Sequence, residues 1–120
     1  MLGRYSMAVA FAAGAFCLLG GHAVAKGMTE KVRNALNHMA QVIVIENNCA
    51  TLESNDTRIG LMMMVIGVDL SDPAQKKYLT ERVRYHGGDL EKMDEDSICL
   101  AGVVLYGPNG LNVPGLIRKK

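Results

Sequence analysis

The sequence predicts an all-α fold: a small four-helix domain with one long-range disulfide and an irregular C-terminal tail. Three observations predict it. Apolar residues recur at helical spacing through most of the chain. Polar cap residues precede each such run and divide it into four segments. Two cysteines, Cys49 and Cys99, stand far apart once a leader-like N-terminus is set aside.

The elements follow in order. Thr29 can cap a helix starting at Glu30, with Val32, Leu36, Met39 and Ile43 on one face. Val42 to Ile45 is a β-branched run that suits a strand, but the period upstream is helical and no partner strand is apparent. A second helix starts near Asn55 or Asp56 and runs to Ile66. It is apolar on almost every side, which predicts the buried central helix of a small bundle. Asp72 caps the third, with Pro73 at its first position and Gln75 completing a capping-box pattern. Tyr78, Leu79, Arg82, Val83 and His86 line up along it, and Gly87-Gly88 ends it. Asp89 to Asp96 reads as an acidic connector with one turn around Leu90 and Met93. Asp96 or Ser97 caps the fourth helix, Ile98 to Tyr106, which Gly107-Pro108 stops. Residues 108–120 read as an irregular strap containing the turn Val113-Pro114-Gly115.

Residues 1–25 have the three parts of a secretory leader. Arg4 is the basic start, Met7 to Leu19 the apolar stretch, and Ala23-Val24-Ala25 a small-x-small cleavage pattern. The apolar stretch is shorter than the roughly 20 residues a membrane span needs. Phe16 before Cys17 is wrong for a lipoprotein. The expectation is cleavage after Ala25, delivery to the periplasm, and one domain over 26–120 with an ordered core at 29–107. Without Arg4 the thirteen basic residues become twelve, against twelve acidic ones. No basic surplus points to nucleic acid or anionic lipid. The run Arg118-Lys119-Lys120 is the solvated end of the chain. With Cys17 gone, Cys49 and Cys99 are an even pair in an exported chain, which predicts a disulfide. Closing a loop of about fifty residues is worth roughly 4 kcal/mol in the chain-entropy model.

Chemistry-bearing motifs are few. Met62-Met63-Met64 suggests thioether ligation of copper, yet neighbouring helical positions point about 100° apart. Met39, Met93, His38 and His86 would have to complete such a site from other segments, and core packing explains the methionines more simply. Neither His38 nor His86 lies in a zinc-hydrolase spacing. His86 suits the negative end of its helix as a protonated imidazole. Asp89, Glu91, Asp94, Glu95 and Asp96 read as a solvated connector rather than the paired acids of a glycosidase. Ser54, Ser71 and Ser97 have no GxSxG context, and there is no P-loop or dinucleotide fingerprint. The sequence therefore predicts no enzyme, no cofactor and no bound metal.

In size, export and cysteine separation the chain resembles small helical periplasmic proteins, a class that includes acid-stress chaperones and toxin-neutralising immunity proteins. That likeness fixes no function by itself. The surplus of apolar residues predicts an interaction protein with a leftover apolar surface. The candidate surface is Leu61, Met62, Val65, Leu111, Val113, Leu116 and Ile117. The expected partner is another protein, with a homodimer compatible, no nucleic acid, and no stable membrane insertion after cleavage. A periplasmic metal or small-ligand carrier is the alternative. At about pH 2 to 3 protonated carboxylates and histidines would leave the chain strongly positive. Self-repulsion would then expose the Leu61–Ile66 and Ile98–Leu105 segments.

Overall fold

The computed structural model describes residues 28–120; the expected leader and its cleavage site lie outside them. Four helices and two short strands follow in the order α1 (Glu30–Asn48), β1 (Leu52–Ser54), α2 (Asp56–Ile66), α3 (Pro73–Leu90), α4 (Glu95–Tyr106) and β2 (Ile117–Lys119). The all-α expectation holds, with one small two-stranded sheet added.

α1 starts where its cap predicts, the Thr29 hydroxyl accepting the Val32 N–H at 3.1 Å. It runs through Val42–Ile45 without a break, because those side chains are needed on several sides at once. Val32, Ala35, Leu36, Met39, Ala40, Val42, Val44 and Ile45 are all buried. α1 is thus the central helix. Val32, Leu36 and Met39 form a cluster with Ile59, Met63, Tyr78 and Leu79 from α2 and α3. Val42 and Ile45 form a second with Leu52, Ile98, Tyr106, Leu116 and Ile117.

This arrangement overturns the expectation of a buried α2. No α2 residue is buried. An eleven-residue helix packed against one side of a nineteen-residue one can cover only one of its own faces. Its ends follow the sequence: Asn55 Oδ1 accepts the Arg58 N–H at 3.2 Å, and Gly67, at φ 90°, takes the left-handed cap that only glycine adopts freely.

Two helix boundaries move. α3 opens as expected, Asp72 Oδ1 accepting the Ala74 N–H. Gln75, however, reaches to the Asp69 N–H at 2.8 Å rather than back to the cap. Gly87-Gly88 does not end the helix. It continues to Leu90, whose side chain packs against the second cluster and ties down the last turn. His86 consequently lies inside the helix, not at its negative end. α4 is capped by Asp94, whose Oδ1 accepts the Ser97 N–H at 2.9 Å, so Glu95 and Asp96 occupy the first turn where carboxylates suit the dipole.

The tail is not wholly irregular. β2 pairs antiparallel with β1, Ser54 opposite Ile117 and Leu52 opposite Lys119. Asn55 N–H donates to Leu116 O at 2.8 Å and Lys120 N–H to Thr51 O at 3.1 Å, extending the ladder at both ends. Arg118 and Glu53 form an ion pair across the exposed face at 3.4 Å. Gly102 lets α4 approach this sheet: an added Cβ would lie 2.8 Å from Ile45 Cγ2 and 2.9 Å from Leu52 Cδ1. The Cys49–Cys99 disulfide is present, with a Cα–Cα distance of 5.4 Å, and ties the end of α1 to α4.

Candidate functional site

Five of the seven expected surface residues surround one groove. Leu61, Met62 and Val65 from α2, with Val113 and Leu116 from the tail, line about 270 Å³ of open space together with Arg58 and Pro114. Leu61 and Val65, one helical turn apart, are 53% and 84% exposed. Met62 is half-buried and packs against both core clusters. Met64, pointing away from them, is 76% exposed.

Leu116 and Ile117 are corrections. They are 2% and 1% exposed and belong to the core. The β1–β2 ladder turns the end of the tail inward, so Leu116 serves the groove only as part of its floor. Leu111 is 78% exposed but stands elsewhere. Its N–H donates to Val104 O at 2.9 Å, which places it beside α4, a helix that also exposes Leu100, Val103 and Val104.

The methionine triplet diverges as helical spacing requires. Met62 and Met63 pack inward beside Met39, and Met64 faces solvent. Among the described residues no three His, Cys, Asp or Glu side chains are grouped to hold a metal ion. The acidic connector is divided between tasks. Asp94 caps α4, and its bonds from Ser97 hold its carboxyl below the ordinary range. Glu95 accepts the Ala50 N–H at 3.0 Å. Among the described residues no helix is long and apolar enough to cross a membrane.

Sequence patterning missed two polar networks on α1. Tyr106, fully buried, donates its hydroxyl proton to Gln41 Oε1. Its oxygen then accepts from His38 Nδ1 at 2.9 Å and from Asn112 Nδ2 at 3.5 Å. Burial pushes the Tyr106 phenol up and the His38 imidazole down. One turn away, Asn37 Oδ1 accepts from both Arg82 Nε and His86 Nε2 at 2.8 Å. Arg82 also lies 4.3 Å over the Tyr85 ring. Burial, and then the Arg82 charge, lower the His86 imidazole, while Asp89 opposes them. The pointers in the sequence were the amides Asn37 and Gln41, four positions apart on α1, and Arg82 and His86 on the line of α3 that carries Tyr78 and Leu79.

No protein-family model, curated protein or solved structure matches this chain.

Proposed function

We propose that the chain is an exported, non-enzymatic holding protein that binds non-native apolar segments of other periplasmic proteins on the exposed face of α2. One observation carries this: α2 is apolar from Ile59 to Ile66, yet none of its residues is buried. Leaving such a helix in water is unfavourable by about 25 cal/mol for each Å² of apolar surface that a partner could cover. Leu61, Met64 and Val65 present that surface, and the Val113–Pro114 turn forms the far wall of the groove beside it.

The chemistry of the face favours unspecific apolar clients. Methionine is flexible and repacks against differing shapes, as promiscuous binding surfaces require. Arg58 is the one charged residue lining the groove, and between it and Asp69 there is no charged side chain, so apolar contact dominates this face. Compatibility with a periplasmic site comes from the leader pattern and the disulfide.

The test is light scattering of an aggregating client protein with equimolar addition of this chain, at neutral pH and in acid. Wild type is expected to suppress scattering. The Leu61→Ser/Val65→Ser variant, which truncates two exposed side chains, is expected to lose suppression while keeping its helical circular dichroism. Equal suppression by wild type and variant would move the client site off α2, and no suppression at any pH would end the holding model.

A further inference from the structure

A second cleft, sharing no residue with the α2 groove, opens between α1, α3 and α4 with a volume of about 210 Å³. Ile45, Leu90, Ala101 and Leu105 give it an apolar lining, and three polar side chains, Gln41, His86 and Asp89, share it. The hydrogen bonds around the cleft decide what those three can still offer. Gln41 Oε1 is committed to the Tyr106 hydroxyl, which leaves the amide N–H groups as donors. His86 Nε2 carries the proton it gives to Asn37 Oδ1, so Nδ1 is left as an acceptor. Asp89 makes no hydrogen bond or ion pair with the described residues, and its carboxylate is near enough to His86 to favour the charged imidazole.

Two acceptors, one of them a carboxylate, and one donor therefore share a largely apolar cleft. Asp89 carries the single formal charge among the lining residues. The nearby Arg82 is held by Asn37 and stacked on Tyr85, and lies outside the lining. Asp89 is solvent-exposed: an anion would meet its charge, a neutral alcohol would leave it to water, and a cation would pair with it. The size suits something small: an apolar cavity of about 150 Å³ accommodates benzene. We propose that this cleft binds a small primary ammonium compound of about six to eight non-hydrogen atoms. Its ammonium group is held by Asp89 and His86 Nδ1, and its carbon chain lies against Ile45, Leu90 and Leu105.

The experiment is an NMR titration of the whole protein with hexylamine, 1-hexanol and hexanoate at about pH 7.5, above the ordinary histidine range. Hexylamine is expected to give saturable shifts at the Ala101 and Leu105 amides and the His86 ring, with a dissociation constant of about 1 mM. Hexanol should bind about threefold more weakly, as pairing with an exposed carboxylate implies, and hexanoate more weakly still. Asp89→Asn should bring hexylamine to the level of hexanol. Glu91→Gln makes the same charge change outside the cleft and should leave binding unchanged; thermal melts check that both variants fold. Equal affinity for amine and alcohol overturns the proposal. So does weakening by Glu91→Gln equal to that by Asp89→Asn, saturation at Leu61 and Val65 instead, or no shift at all.

Discussion

Asn37 holds two donors on a single oxygen, and one of them can become a second positive charge. Arg82 Nη2 and His86 Nε2 are 3.4 Å apart, and neither can accept from the other. Burial already disfavours the charged imidazole, and Arg82 disfavours it further. With His38 also lowered by burial, the unfolded chain takes up protons at a higher pH than the folded one. Stability is therefore undiminished above the unfolded value near pH 6.5. It falls as pH drops from there through the lowered folded values, and then levels. The melting temperature should decline over that window, and His86→Gln, which keeps a donor to Asn37, should flatten the decline. Imidazole NMR titrations should place both midpoints below 6.5. Tyr106→Phe is the second prediction at this scale. It leaves Gln41, His38 and Asn112 facing a buried carbon, and urea unfolding should show a loss of about 1–3 kcal/mol.

At the scale of elements, the proposed client face on α2 can be altered at little cost in stability. Leu61→Ser with Val65→Ser should change unfolding free energy by only about 0.5 kcal/mol per site, as surface substitutions do. Asn55→Ala removes the cap and should cost about 1 kcal/mol in the same measurement. The four helices were legible in the sequence because caps and apolar period agree in each, most clearly at Thr29 and at Asp72-Pro73. Their depth was not legible. α2 is the most continuously apolar segment, but α1 supplies the residues that face three directions. Gly87-Gly88 carries a local stop that Leu90 overrides by packing. β2 was invisible because a three-residue strand has no period to detect and pairs with a segment more than sixty positions away. Leu116 and Ile117 were consequently read as surface. Of the candidate groove, Leu61, Met62, Val65 and Val113 followed from hydropathy, whereas the polar cleft depends on side chains from three helices that no spacing relates.

Taken whole, the molecule is tied twice at the same place. The disulfide joins the end of α1 to α4, and β1 leaves that junction to meet the last residues of the chain. Cys49 is itself a core residue, 1% exposed. Cys49→Ala with Cys99→Ala should cost about 2–5 kcal/mol. For a domain of this size that lowers the melting temperature by at least about 10 °C. Differential scanning calorimetry checks it. The region between the cysteines contains α2 and α3, so the intact bridge keeps both ends of that excursion together when acid weakens the α1–α3 seam. Retention of client suppression in acid should therefore depend on the bridge more than it does at neutral pH, a comparison of the cysteine variant with wild type by light scattering.

The burial of Tyr106 also equips the protein with its own optical gauge. The sequence contains no tryptophan, and of the described tyrosines only Tyr106 is fully enclosed, edge-on to His38 with ring centroids 5.7 Å apart. An immobilised, asymmetrically surrounded phenol dominates near-ultraviolet circular dichroism, and that band vanishes when fixed packing is lost while far-ultraviolet helicity persists. The Tyr106 part of that band thus reports on the junction of α1 against α4, whereas Tyr78, packed with Ile59 and Met63, reports on the α2–α3 side. Recorded against pH without any label, the band distinguishes an acid state that has loosened only its α2–α3 side from one that has come apart at its centre.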